Sequence, residues 1–194
     1  MIPRLVVASK NQDKIEEIEA VLGEVGLVEE IVRGMGWPDV EETGSTLEEN
    51  ALLKAKAVMR AVGLPVIADD TGLEVAALGG LPGVETARYA GPDATYSDNV
   101  QRLLSEMDGV ADRRARFRTV VALVMPDDTE LVVEGVLDGA IAKTPRGSGG
   151  FGYDPVFEVE GRTLSEMGVD VKNTLSHRAR ALRAMAEILG LGEA

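Results

Sequence analysis

Apolar residues along this chain alternate between short continuous runs and helical spacings. Leu5 to Ala8 is a run of strand length, and Ile15, Ile18 and Leu22 then recur with a helical period. The polar hexapeptide Ser9-Lys10-Asn11-Gln12-Asp13-Lys14 between them is therefore a strand-to-helix turn. Val28 to Val32 reads as a second strand. Gly34 to Gly44 reads as a loop, broken by Gly34, Gly36, Pro38 and Gly44. Thr46 with Glu49 predicts a capping box for a long helix whose apolar face is Leu47, Ala51, Ala55, Val58, Met59 and Val62. Pro65-Val66-Ile67-Ala68 predicts a short buried strand, with Asp69-Asp70-Thr71 emerging at its end, before Gly72.

The second half follows the same logic. Leu73-Glu74-Val75 alternates, and Leu78-Gly79-Gly80-Leu81-Pro82-Gly83 is expected to lie outside regular structure. Thr86 to Gly91 closes that loop. Ser97 is expected to cap a helix carrying Val100, Leu103, Leu104 and Met107. Arg116 to Met125 and Leu131 to Ile141, joined by Pro126-Asp127-Asp128-Thr129, predict an antiparallel hairpin. Thr144 to Gly152 reads as loop and Val156 to Val159 as a last short strand. Ser176 precedes a final helix with Leu175, Ala179, Leu182, Ala186 and Leu189 on one face. Helices interleaved with strands, plus a hairpin, predict an α/β fold: a mixed twisted sheet with flanking helices. One domain over residues 1–194 is expected, with a hairpin-bearing second lobe at approximately 113–160 and a ligand cleft between the two lobes.

Composition narrows the function classes. The chain has 194 residues, 20 basic against 33 acidic, a net charge of −13 and no cysteine. Disulfides and thiolate metal sites are excluded. Binding to duplex nucleic acid calls for a basic footprint, which this chain lacks. No apolar run is long enough to cross a membrane, and no secretory cleavage pattern opens the chain, so a cytoplasmic location is expected. Basic residues still gather locally, at Arg113, Arg114, Arg116 and Arg118, and at Lys172, His177, Arg178, Arg180 and Arg183.

Candidate chemistry centres on the two adjacent acids. Neighbours in a strand point to opposite sides, so only one of Asp69 and Asp70 can face a given ligand, and Asp69 is expected to play the supporting part. Carboxylate oxygens suit Mg²⁺, which takes one or two of them together with substrate phosphates. Asp-Asp-Thr-Gly is equally good turn chemistry. The turn from Ser9 to Lys14 offers backbone N–H groups and the positive end of a helix to an anion. Lys14 opposes that dipole, and a bound phosphate would resolve the conflict. Lys54 lies at the edge of its helix's apolar stripe, where a long side chain reaches either a pocket or water. Phe151 and Tyr153 among glycines read as loop anchors. His177 and Arg178 near a helix start read as solvated or satisfied surface groups.

Taken in order, these segments resemble one family. The carriers are Ser9 to Lys14; Glu41-Glu42-Thr43-Gly44 with Glu49-Asn50-Ala51; Ala68-Asp69-Asp70-Thr71-Gly72-Leu73; Leu78 to Gly83 with Ala87-Arg88-Tyr89-Ala90-Gly91; Gly150-Phe151-Gly152-Tyr153-Asp154-Pro155; and Lys172-Asn173 with Ser176-His177-Arg178. The chain resembles the inosine triphosphate pyrophosphatases, also called dITP/XTP pyrophosphatases, from about Leu5 to Leu189. The resemblance implies Mg²⁺-dependent hydrolysis of ITP, dITP and XTP to the monophosphate and pyrophosphate. It implies that Glu41 and Asp70 hold Mg²⁺ and that Asp70 accepts the proton. It further implies that Ser9, Lys10, Asn11, Gln12, Asp13, Lys14 and Lys54 contact phosphates, and that Thr71, Phe151, Gly152, Tyr153, Asp154, Lys172, His177 and Arg178 line the nucleotide site. A homodimer is implied too, with Leu78 to Pro82 as a candidate interface. Thr71, Lys10 and Ser165 depart from the family's usual serine, small residue and alanine. Two other readings stay open on the residues: a nucleotide-binding or sensing module without turnover, and a pyrophosphatase for modified pyrimidine triphosphates.

Overall fold

The structure, a computed structural model, describes residues 1–190. Its strands are β1 (Ile2–Val7), β2 (Val28–Ile31), β3 (Val66–Val75), β4 (Pro82–Gly83), β5 (Arg114–Val124), β6 (Glu130–Ile141), β7 (Phe157–Val159) and β8 (Arg162–Thr163). Its helices are α1 (Gln12–Val25), α2 (Leu47–Val62), α3 (Tyr96–Glu106), α4 (Val169–Leu175) and α5 (His177–Ile188). The strands order as β2-β1-β3-β5-β6-β7-β8, and β4 pairs with β3. Parallel pairs β1–β2 and β1–β3 stand beside antiparallel pairs β3–β4, β6–β7 and β7–β8, so the sheet is mixed and the fold is α/β as expected. The hairpin of β5 and β6 closes through Met125 N–H donating to Thr129 O at its tip.

The chain divides into two compact units, residues 1–70, 119–135 and 177–194 in one and residues 71–118 and 136–176 in the other. The first unit is built on the apolar runs of β1 and β3 and the helical stripes of α1 and α5. Leu5, Val7, Ile18, Val21, Leu22, Ile67, Ala179, Leu182 and Met185 share one core, in which α1 packs on α5. The second unit's core is Leu73, Val75, Val100, Leu103, Met107, Phe117, Leu137, Tyr153 and Phe157, with the Phe117 and Phe157 rings 4.6 Å apart.

Four local expectations need correction. Asp69 and Asp70 do not sit at the end of a short strand: β3 runs on through Asp-Asp-Thr-Gly to Val75, ten residues in all. Turn chemistry lost to pairing on both sides of the acids, with Val6 and Val7 opposite Val66 and Ile67 before them and Gly83 and Pro82 opposite Leu73 and Glu74 after them. That second pairing also gives the glycine-proline loop a two-residue strand, β4. The cap of α3 is Thr95, not Ser97; Thr95 and Asp98 form a reciprocal capping box, which displaces the start by two residues. Thr46 caps α2 as expected, accepting from Glu49 N–H at 3.1 Å, but the Glu49 carboxylate reaches back chiefly to Ser45 N–H, at 2.6 Å, and only secondarily to the cap's own N–H. Helix α4 went unforeseen, because Val169 and Val171 are exposed and leave no apolar face to read.

Candidate active site

In the first unit, four of the predicted site residues, Lys14, Lys54, Asp70 and Arg178, gather around the middle of β3. Asp69 is fully buried and accepts from Arg178 twice, from Nε at 3.1 Å and Nη2 at 3.0 Å. Lys14 Nζ lies 3.1 Å from the same carboxylate. The lysine that opposes the dipole of α1 is therefore accounted for by an ion pair. Arg178 is itself buried, and its Nη1 donates to Glu17 at 2.6 Å. Glu17, a buried acid on α1, escaped the sequence reading; its signal is a glutamate one residue before Ile18, on the face that the stripe buries. Burial by itself would raise the Asp69 carboxyl. The charges of Lys14, Arg178 and Lys54 outweigh it, and Asp69 is held far below the ordinary carboxylate range.

Asp70 turns the other way, as strand alternation requires. It accepts from Asn50 Nδ2 at 3.2 Å, and Lys54 Nζ stands 3.5 Å away. Asn50 is placed by its own Oδ1, which accepts from Gly44 N–H at 2.8 Å. Lys54 also donates to Glu42 at 2.8 Å, so this side chain reaches inward and not to water. Burial lowers the Lys54 ammonium, but Asp70, Asp69 and Glu42 more than compensate, and it stays charged. Asp70 responds differently. Burial pushes its carboxyl up, the Glu42 charge adds to that, and Lys54, Lys14 and Asn50 only partly offset it. One strand thus holds two neighbouring acids with opposite titration behaviour, a pattern typical of acid–base sites.

Asn11 caps α1 by accepting from Lys14 N–H at 3.2 Å, while Ser9 Oγ accepts from Asn11 N–H at 3.2 Å. Gln12 and Asp13 are exposed on the first turn of α1, and Lys10 pairs with Asp39 at the surface. Ser9 and Gln12 line a cavity of about 190 Å³ with Ile15, Ile31 and Trp37. Glu41 is exposed on the loop before α2. His177, at the start of α5, is buried, with Nδ1 2.5 Å from Thr119 Oγ1.

In the second unit, Phe151, Gly152, Tyr153 and Asp154 form a loop shaped by the Asp154 carboxylate. Its Oδ2 accepts from Phe151 N–H at 2.9 Å and from Lys172 Nζ at 2.7 Å. Gly150 has a φ of +73°, and a Cβ there would lie 2.1 Å from Asp154 Oδ2, so only glycine fits. Lys172 Nζ stands 4.3 Å over the centre of the half-buried Phe151 ring. Tyr153 is buried and donates to Thr86 O at 3.0 Å. Thr71 is half-buried on β3. The four clustered arginines do not make an anion pocket: Arg113 donates to carbonyls of Ile141, Met107 and Ala142, while Arg114, Arg116 and Arg118 pair with Asp112, Asp138 and Glu74.

Among the described residues, no group of three or more His, Asp or Glu side chains is preassembled as a metal centre. The donor set around Asp70 nevertheless fits a hard divalent cation that arrives with phosphates. Asp70 and Glu42 are oxygen donors with Glu41 adjacent in the chain, and Lys54 alone does not bring Asp70 down to an ordinary carboxylate pKa.

The sequence pattern of the Ham1 family matches residues 5–188. The chain is 50% identical to the dITP/XTP pyrophosphatase of Methylococcus capsulatus, covering 96% of each chain. It is 48% identical to that of Geobacillus kaustophilus, over 94% of this chain and 92% of the relative. Among solved structures, a Ham1 protein from Coxiella burnetii superposes with a TM-score of 0.87 at 40% identity, covering 97% of this chain and 99% of that one. The Staphylococcus aureus Ham1 protein gives 0.85 at 38% identity, covering 98% and 100%.

Proposed function

The chain belongs to the Ham1 family, and on that footing we propose that it hydrolyses non-canonical purine nucleoside triphosphates, ITP, dITP and XTP, to the monophosphate and pyrophosphate. Relatives named dITP/XTP pyrophosphatase across nearly the full length support the reaction class. The observation that carries the chemistry is Asp70. It is a buried carboxylate whose pKa is raised, next to a neighbour that is held ionised. A base poised upward takes a proton more readily than an ordinary carboxylate does.

In this reading Asp70 accepts the proton of a water whose oxygen attacks the α-phosphorus. The bond to the bridging oxygen breaks, and pyrophosphate leaves. Glu41 and Asp70 would hold Mg²⁺, which would neutralise phosphate charge. Ser9, Lys10, Asn11, Gln12, Asp13, Lys14 and Lys54 contact the triphosphate. Lys54, kept charged by its acidic neighbours, balances a phosphate oxygen. Phe151 offers a face for the purine, and Thr71, Gly152, Tyr153, Asp154, Lys172, His177 and Arg178 complete the nucleotide site. Tyr153 and Asp154 act by shaping the loop, since their polar atoms already hold Thr86 O, Phe151 N–H and Lys172. A 6-oxo purine needs donors where adenine needs an acceptor, and a lysine ammonium and an imidazole N–H supply them, while Arg178, already holding Asp69 and Glu17, acts by fixing Asp69. We place the enzyme in the cytoplasm as one domain and as a homodimer. Leu81, 52% exposed beside β4, supports Leu78 to Pro82 as part of that interface; among the described residues no helix is long and apolar enough to cross a membrane.

The test is a release assay over ITP, XTP, GTP, ATP and dUTP, with Mg²⁺ and with chelator, measuring pyrophosphate and orthophosphate separately. Pyrophosphate from ITP and XTP, lost on chelation, is the expected result. Orthophosphate would mean attack at the terminal phosphate and would overturn the reading.

A further inference from the structure

Strand β5 runs through the core as Thr119-Val120-Val121-Ala122-Leu123-Val124, and Thr119 is its one hydroxyl, fully buried. Valine has nearly the same shape and no polar atom to desolvate. A hydroxyl here costs free energy unless it is hydrogen-bonded. Its oxygen stands 2.5 Å from Nδ1 of His177, which is 4% exposed. The two side chains are 58 residues apart in sequence, and the backbone is shaped to let them meet. Gly135 on β6 lies directly under the start of α5, where a Cβ would come within 2.0 Å of His177 O and 2.5 Å of Ala181 N. That glycine lets the first turn of α5 settle against the sheet, and Thr119 then meets the ring.

A neutral imidazole carries one N–H, and the hydrogen bond made by one ring nitrogen decides the state of the other. We propose that Thr119 is a positioning and specificity-determining residue: its O–H donates to Nδ1 and fixes His177 as the Nε2–H tautomer, which presents a donor. With the hydroxyl accepting instead, Nε2 would present a lone pair. The first arrangement suits a 6-oxo purine, and the second suits a 6-amino purine. The specificity half of this inference rests on the hydrolase reading above; the tautomer half does not.

His177 is the protein's single histidine, so its ring nitrogens are unambiguous in a ¹⁵N spectrum of the uniformly labelled full chain. The spectrum is recorded in mildly alkaline buffer, where imidazole is neutral. We expect Nε2 protonated and Nδ1 bare in the wild type. Thr119→Val should mix the two tautomers and lower the preference for ITP over ATP in kcat/KM roughly tenfold, the scale of one lost hydrogen bond. Thr119→Ser should restore both. A wild-type ring protonated on Nδ1 overturns the tautomer assignment with no variant needed. If Thr119→Val folds with tautomer and preference unchanged, Thr119 has no positioning role. A wild-type protein with the expected tautomer but no ITP turnover refutes the hydrolase reading and the specificity half with it, while the spectrum still supports the tautomer half.

Discussion

Arg178→Met removes one cation from a buried arrangement of two acids. In the native protein the guanidinium makes two hydrogen bonds to Asp69 and one to Glu17, all buried. Methionine fills most of the volume, so the perturbation is chiefly electrostatic. Removing one partner of a buried ion pair costs about 3–5 kcal/mol, because a charge is left uncompensated. Asp69 keeps Lys14 at 3.1 Å, which sets the expectation near the lower figure. With a urea slope of about 2 kcal/mol per molar, the midpoint should fall by about 1.5 M. The pH dependence gives a second check. Asp69 has a depressed pKa in the folded protein, so its contribution is present above the ordinary value of 3.8 and is lost as pH falls through the folded value. Without Arg178, only Lys14 and Lys54 oppose the burial of Asp69, so its carboxyl moves up from the native value. The variant then protonates before the wild type, and its deficit against wild type narrows as pH falls from 7 to about 3, below the ordinary value of 3.8. Urea melts at both pH values read this directly. A deficit below about 1 kcal/mol, the scale of an exposed pair, or one that is constant with pH, would refute the account of a buried, charge-balanced cluster.

Other expectations follow from the same geometry. Asp70→Asn should abolish turnover, by at least about a hundredfold for a lost general base. It should melt no lower than wild type at pH 7: a raised pKa means that the ionised form destabilises the fold, an effect that disappears below the unfolded value of 3.8. Near-normal turnover in the folded variant removes Asp70 from the proton-acceptor role. Gly135→Ala should cost about 1–3 kcal/mol by overpacking, since its Cβ meets the His177 carbonyl; an unchanged thermal melt contradicts the close approach of α5. Phe151→Ala should raise the KM for ITP about tenfold with little change in kcat, in line with roughly 1–3 kcal/mol for stacking a base on an aromatic ring. An unchanged KM argues against stacking.

The helices α1, α2 and α5 and the β5–β6 hairpin were legible because each buries one stripe or one continuous run. The acids of β3 were legible as chemistry but not as strand. Aspartate, threonine and glycine favour turns locally, and long-range pairing of β3 with β1, β4 and β5 holds them extended. The opposed environments of Asp69 and Asp70 follow from alternation, which a sequence does display. Glu17 and Thr119 were not legible as members of the cluster around α5. Their partners are 161 and 58 residues away; the place of Glu17 beside Ile18 marks it as odd without naming its partner, and nothing local distinguishes a threonine in a valine-rich strand. Helix α4 was hidden for the opposite reason, since it buries only Lys172.

The alternation in β3 has a consequence for folding errors. A slip of one residue in its pairing with β1 sends every side chain to the other face. Asp70 would then meet Lys14 and Arg178, and Asp69 would face Asn50 and Lys54. Each carboxylate would still have a cation, so charge alone does not forbid the slipped state. What forbids it is the burial of Val66 and Ile67 opposite Val6 and Val7 on one side and the match of Leu73 with Gly83 on the other. Hydrophobic register, set by residues with no chemistry of their own, is what decides which of two identical side chains is held ionised and which has its carboxyl pushed up.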